Sequence, residues 1–231
     1  MITKEQAITH LSSGLDRLHI RQPPPKVLDQ IWLYFTELLK WNSKVNLVAK
    51  APELDLLENH FLDSFTLVPT VQTFLQEKPG QHLADIGSGA GFPGLVLKIV
   101  CPDLPVTLVE PRQKRAAFLR HIARTLLLDQ LSVYEGRIDK NDRQFVQKHG
   151  QFSLITCRAL TSIQGFLEMT AHITAPNAKI IFMKGPKAVE ETKLIPPQTD
   201  HFIASSSAAF ILPFSGAART LVVFSKTHPP P

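Results

Sequence analysis

The stretch Asp85-Ile86-Gly87-Ser88-Gly89-Ala90-Gly91-Phe92-Pro93-Gly94 decides the fold of this chain. It leaves a short apolar run at 82–86 and opens into a second apolar run, 94–100, at helical spacing. Glycine suits that junction because the chain must turn sharply and lay its backbone against a ligand. The helix that follows offers unpaired N–H groups and a partial positive charge at its start. Downstream, 106–109 is β-branched and apolar, and it ends in Glu110, 23 residues after Gly87. A carboxylate there accepts the two hydroxyl protons of a ribose. Strand, glycine loop, helix, strand and acid together specify an adenosine-containing ligand. A mere tight turn would need neither the acid nor the flanking strands.

The pattern continues on both sides. Residues 114–128 read as a helix, 131–134 and 152–156 as strands, 162–173 as a helix and 179–183 as a strand. Such alternation predicts βαβ units and a parallel sheet, an α/β fold. After Pro197, the runs 202–212 and 220–224 read as two last strands, an antiparallel hairpin at one edge. The first third reads as helices. Leu28, Ile31, Trp32, Phe35, Leu38 and Leu39 make one apolar stripe. Leu54, Leu57, Phe61, Leu62 and Phe65 make another, with Pro52 near its start. Both stripes read as core packing. Pro23-Pro24-Pro25 sets off a first short helical stretch, Glu77-Lys78-Pro79-Gly80 closes the N-terminal third, and Pro196-Pro197 interrupts the last. A helical extension over 1–78, packed on a core over 79–231, is the expected organisation, with a frayed tail at 228–231.

Composition bounds the rest. The chain has 231 residues, 44% of them hydrophobic, which is enough for a real core. Its 25 Lys and Arg against 20 Asp and Glu give +5, a mild lean towards polyanions. Cys101 and Cys157 make neither a disulfide framework nor a zinc quartet, so a reducing, cytoplasmic setting and no metal are expected. The start carries Lys4 and Glu5 at once, unlike a signal peptide. No apolar run reaches spanning length, since Lys98 cuts Leu95-Val96-Leu97, and no membrane partner is expected.

The dinucleotide fingerprint asks for a third glycine where Phe92 stands, and for a second nucleotide-binding half that the chain after Gly185 is too short and β-rich to supply. S-adenosylmethionine fits better: one nucleoside, no pyrophosphate, and a methionine carboxylate that can rest near the loop. Exocyclic-amine methyltransferases carry an Asn/Asp-Pro-Pro-Tyr/Phe motif after the fourth strand, where this chain reads Thr156-Cys157-Arg158-Ala159. Thr156, not proline, precedes Cys157, so that cysteine reads as a small buried residue rather than a nucleophile.

The segments Trp41-Asn42-x-Lys44-x-Asn46-Leu47, His60-Phe61-Leu62-Asp63-Ser64, the glycine loop, Lys114-Arg115-x-x-Phe118-Leu119, Arg158-Ala159 and Lys184-Gly185 follow in a telling order and spacing. In these the chain resembles the bacterial small-subunit ribosomal RNA guanine-N7 methyltransferases, also called glucose-inhibited division protein B. The resemblance covers roughly residues 28 to 190. It implies a class I, Rossmann-like S-adenosylmethionine-dependent methyltransferase. Its sheet would be seven-stranded and mostly parallel, with an antiparallel edge hairpin and an N-terminal helical extension. It implies methyl transfer to N7 of a guanine in the 530 loop of 16S rRNA, with release of S-adenosylhomocysteine; the expected partner is 16S rRNA, free or in the small ribosomal subunit, and the expected state a monomer. Carried over by position, the cofactor would touch Asp85, Gly87, Gly89 and Phe92, with Glu110 on the ribose and Ile138 and Asp139 beside the adenine. Arg158 would line the cofactor and substrate side. By charge rather than by family, Lys114 and Arg115, opening a basic helix next to Glu110, are read with Lys184 as facing RNA phosphates, and a solvated helix face is the plainer reading of that helix. Cys157 departs from the family, where serine is expected, and the segment after Pro186 carries no functional reading.

Guanine N7 has a free lone pair, so no general base is needed; the enzyme aligns two partners and excludes water. A cation pressed on N7 would hinder transfer, so Arg158 is expected against a phosphate or guanine O6. A structural ion pair is its plainer role. His60 and Asp63, three apart on a helix, are expected to share a hydrogen bond. Trp41 and Asn42 are expected to cap the second helix and pack the extension on the sheet. Two readings compete: a methyltransferase of this fold acting on another RNA or a small molecule, and a non-enzymatic RNA-binding module.

Overall fold

Short, wholly buried strands need cover on both faces, and two of them set this architecture: β1 (Leu83–Ile86) and β2 (Val106–Val109). The computed structural model describes residues 1–231 except 79, 141, 159–161, 186–197, 200 and 228–231, with backbone only at 198 and 199. Pro79, Ala159, Pro196-Pro197 and the proline tail therefore lie outside the described residues. The remaining strands are β3 (Leu131–Tyr134), β4 (Phe152–Arg158), β5 (Thr174–Lys184), β6 (Gln198–Thr199), β7 (Phe202–Ile211) and β8 (Ala218–Lys226). Among the described residues they form one sheet in the order β3-β2-β1-β4-β5-β8-β7-β6. The first five pair in parallel, and β8 and β7 close the sheet antiparallel. This is the expected sheet, with the two-residue β6 added beyond the hairpin. Strand order reverses between β1 and β4, which opens a crevice at their carboxyl ends.

Alternation along the strands splits the core. Leu83 and Leu108 face one apolar cluster, and Ala84 and Val109 face the other. The first cluster is shared with the N-terminal helices α1 (Lys4–Arg17) and α2 (Pro25–Asn42), through Leu11, Leu15, Ile31 and Phe35. Thr3 and Gln6 form a capping box at α1, and Pro25 opens α2 where its missing N–H costs nothing. The second stripe is not one regular helix. It runs as α3 (Glu53–Leu56), a π-helical turn (Leu57–Leu62) and α4 (Asp63–Phe65), with Pro52 as N-cap. Helix α5 (Val68–Glu77) follows.

Helix α6 (Gly94–Val100) lies where the sequence puts it. Helix α7 (Gln113–Thr125) ends short of residue 128, because Leu127 turns to a φ of 51°. Helix α8 (Arg143–His149) went unread in the sequence: it buries only Phe145 and is started by the Asp142 carboxylate. Helix α9 (Ile163–Thr170) is capped by Ser162 and continues as a 3-10 turn to Ile173, matching 162–173. Strand β4 runs on to Arg158 and β5 starts at Thr174; both exceed the apolar runs that announced them.

Tyr34 of α2 ties the helical layer to the glycine loop. It is fully buried, and its hydroxyl donates to the Ala90 carbonyl. Its ring lies 5.3 Å from Phe92 and 5.0 Å from Phe61. Burial pushes its phenol well above the usual range, so it remains a donor. Tyr34→Phe should cost about 1–3 kcal/mol, because the buried Ala90 carbonyl is left without its donor. Urea unfolding of the two proteins measures this.

Candidate active site

Inside the glycine loop most main-chain donors are already taken. Gly87 and Ser88 N–H donate to the Val109 carbonyl, and Gly91 and Phe92 N–H donate to Ser88. At the start of α6, Gly94 N–H donates to Asp85 Oδ2 at 3.0 Å and Leu95 N–H to Gly91. The free N–H groups expected at this helix start are therefore engaged at Gly94 and Leu95. A loop bonded inward in this way is poorly suited to cradle a pyrophosphate. Gly91 has a φ of 101°, and a Cβ there would meet Leu95 Cδ1 at 2.3 Å and the Tyr34 hydroxyl at 2.7 Å. Asp85 is 1% exposed and also accepts from the Thr156 hydroxyl at 3.3 Å. Burial lifts its carboxyl to about 6, against the lowering pull of Gly94, Thr156, Arg158 and Ser88. Asp85 thus shapes the loop from beneath.

Glu110 stands at the carboxyl end of β2. Its Oε2 accepts from Gly89 N–H at 2.9 Å and its Oε1 from Arg112 N–H at 2.8 Å. A carboxylate has about four lone-pair sites, so each oxygen keeps one for a ribose hydroxyl. After β3, Ile138 is buried in the second cluster, while Asp139 is exposed and accepts from Asp142 N–H through its carbonyl. Phe92 turns its ring inward, enclosed by Tyr34, Phe61 and His60. On the rim, Lys114 is exposed, and Arg115 donates to the Asn46 carbonyl at 3.3 Å. Lys184 ends β5 with its ammonium 6.0 Å from the Phe182 ring. Asn42 receives the N–H groups of Leu47 and Val48 on its Oδ1, and Trp41 packs on Phe118 and His121. The Trp-Asn segment thus fixes the turn after α2 against α7. Cys157 is buried opposite Phe182.

Arg158 ends β4 on the other side of the crevice, with its side chain 24% exposed. Its Nη1 donates to the Asn59 carbonyl at 3.1 Å and lies 3.5 Å from Asp63 Oδ2. Its Nη2 lies 3.1 Å from His60 Nδ1, and the guanidinium carbon sits 5.4 Å above the Phe92 ring. Arg219 of β8 donates from Nε to Asp63 Oδ1 at 3.2 Å and reaches Asn59 Oδ1 at 3.4 Å. Glu58 accepts from Phe214 and Ser215 N–H, which pins the β7–β8 turn. The expected His60–Asp63 hydrogen bond is not made; both residues bond Arg158 instead. The π-helical turn explains this, since its wider winding takes residues three apart off a shared face. Tyr34, Asn59 and Arg219 were not singled out in the sequence. Arg219 lies more than 150 residues from its partners, and nothing local announces it.

Arginine only donates, so His60 Nδ1 must accept and the ring proton sits on Nε2. Burial first, then the charges of Arg158 and Arg219, push the imidazole down to about 3. A groove of about 650 Å³ lined by Arg21, Pro23, Phe65 and Gln72 lies by Val100, at the far end of α6 from the loop, and takes no part here.

The family model described as rRNA small subunit methyltransferase G matches residues 27–221. The Ribosomal RNA small subunit methyltransferase G of Desulfotalea psychrophila is 41% identical over 220 residues, spanning 92% of this chain and 95% of its own. That of Syntrophotalea carbinolica is 33% identical, over 94% of this chain and 96% of its own. Among solved structures, a mutant of MtNAS in complex with S-adenosylmethionine aligns with a TM-score of 0.53 at 19% identity, over 86% of this chain and 75% of that one. The last likeness is one of fold.

The folded pKa of His60 lies below its ordinary 6.5, so between pH 6.5 and about 3 the unfolded chain binds the proton and the native one does not. The stability this group contributes is present above pH 6.5 and is lost as pH falls through that window. His60→Asn should therefore lose less stability than the unaltered chain between pH 7 and pH 5, read from urea midpoints at the two pH values.

Proposed function

The chain belongs to the rRNA small subunit methyltransferase G family, and from that premise we propose the reaction at its site: transfer of a methyl group to N7 of a guanine in the 530 loop of 16S rRNA. The family makes it an enzyme, a methyltransferase using S-adenosylmethionine, with 16S rRNA as its substrate. The observation that carries the finer reading is the crevice at the carboxyl ends of β1, β2 and β4, where Glu110 offers a carboxylate for a ribose and, among the described residues, Asp63 and His60 Nδ1 beside Arg158 are both engaged.

When bound, S-adenosylmethionine supplies a methyl group on a sulfonium, which passes to the N7 lone pair and leaves S-adenosylhomocysteine. Glu110 orients the ribose with its remaining lone pairs. Gly87, Gly89 and the main chain at Phe92 line the loop, and Asp85 holds that loop in shape. Ile138 and Asp139 flank the base of the cofactor. Asp63 and the Nδ1 of His60 are both engaged by Arg158, so neither is poised to remove a proton. N7 has none to remove. Arg158 is a substrate-side positioning residue, and Lys114, Arg115 and Lys184 supply the phosphate-facing charge.

The helical extension over 1–78 serves as a buttress of the site, because Tyr34 and Phe61 pack on Phe92. The chain acts as a monomer, on 16S rRNA free or in the small subunit, in the cytoplasm. No helix among the described residues is long and apolar enough to cross a membrane.

The test is methyl transfer from radiolabelled S-adenosylmethionine to small subunits lacking the modification, with naked 16S rRNA, large subunits and tRNA alongside. Label confined to 16S rRNA and mapped to N7 of a 530-loop guanine supports the reading. Label elsewhere, or none with cofactor binding intact, overturns it. Glu110→Ala should weaken S-adenosylmethionine binding roughly ten- to hundredfold, from about 1.5–3 kcal/mol per hydrogen bond to a charged group. Calorimetric titration measures it.

A further inference from the structure

We propose that His60 reads the target base, its Nε2–H donating to O6 of the guanine whose N7 takes the methyl group. The inference rests on the guanine-N7 reading above and deepens it.

Three features of the site lead there. Arg158 takes His60 Nδ1 as an acceptor, which leaves the ring proton on Nε2. That Nε2 makes no hydrogen bond among the described residues. His60 is only partly buried, so this donor stands where a ligand can meet it. The ring is held flat on Phe92, with centroids 5.0 Å apart at 21°, and Phe92 belongs to the glycine loop. The donor is thereby locked to the element that lines the cofactor.

Its place in the fold matches the role. Strand order runs β2-β1-β4, with Glu110 at the end of β2 and Arg158 at the end of β4. A ribose held by Glu110 leaves the β4 side for the reacting group and the incoming base. His60 lies on that side, against Arg158.

The chemistry follows from the Hoogsteen edge. Guanine presents N7 and O6 there, two adjacent acceptors, while adenine presents N7 beside an amino donor. An N–H placed at O6 accepts guanine and opposes adenine. It also leaves the N7 lone pair free to react. Transfer puts positive charge on the purine, so the reading group must be neutral; an imidazolium would oppose the developing charge. Arg158 and Arg219 face His60 from β4 and β8, and Asp63 balances them from its own helix. Arg158 then acts on specificity through His60, as the group that fixes its tautomer.

The test compares target RNA carrying guanine with the same RNA carrying 2-aminopurine, which keeps N7 and lacks O6, under single turnover with the full chain. The unaltered protein should prefer guanine by about tenfold or more, the worth of one well-placed hydrogen bond. His60→Phe keeps a ring to stack on Phe92 and removes the donor. It should slow guanine methylation, bring the ratio near one, and leave S-adenosylmethionine affinity within about twofold. His60→Gln, whose amide N–H can reach towards O6, should restore part of the preference. An unaltered protein that methylates guanine yet treats the two bases alike, or a His60→Phe variant that keeps the full preference, overturns the proposal. No transfer to guanine by the unaltered protein would overturn the guanine-N7 reading itself, and the proposal with it.

Discussion

A guanidinium carried into a half-buried place must find acceptors for its donors, and much of this site answers that demand from Arg158. The acceptors come from the N-terminal helices: the Asn59 carbonyl, the Asp63 carboxylate and the imidazole of His60. The π-helical turn over Leu57–Leu62 presents Asn59 and His60 together. Arg219 shares Asp63 and Asn59 from β8, and Glu58 of the same turn holds the tip of the last hairpin. One arginine at the end of β4 is thus joined through a single helical turn to the far hairpin of the sheet. Removing Asp63 would leave two guanidinium groups short of a counter-charge in a place where burial makes that expensive.

The glycine loop obeys a different constraint. Its backbone is closed on itself, shaped from below by Asp85 and from the side by Tyr34. What remains for a ligand is the surface of the loop and the spare lone pairs of Glu110. That is a place for a nucleoside with an amino-acid tail rather than for a diphosphate. The aromatic cluster of Tyr34, Phe61, Phe92 and His60 then couples loop and helices, so the glycine loop and the surroundings of Arg158 share one packed wall.

Much of the sheet could be read from residues alone, because β1, β2 and the glycine loop are dictated by local rules: apolar β-branched runs, glycines at a turn, an acid at a strand end. The bounds of 94–100, 106–109 and 131–134 agree with α6, β2 and β3 residue for residue. Helix α8 was not legible, since one buried phenylalanine makes no period. The π-helical turn was not legible either. Its sequence reads as an ordinary amphipathic helix, and only packing against Arg158 and the hairpin shows the extra width. For the same reason the His60–Asp63 pair was misjudged, while Arg219 was invisible. Its role depends on a chain reversal that brings β8 beside β5, far from anything near it in sequence.

Burial, then the charges of Arg158 and Arg219, hold His60 neutral, and Arg158 at Nδ1 leaves its proton on Nε2. Nitrogen-15 NMR of the full chain labelled at histidine, titrated from pH 8 to pH 5, tests it most directly. His60 should show one protonated and one unprotonated ring nitrogen across the whole range. Arg158→Met, which removes both the charge and the donor, should lift the titration part of the way towards the ordinary value, with burial holding it down for the rest. A His60 that titrates near 6.5 in the unaltered chain, or one that carries its proton on Nδ1, would contradict it.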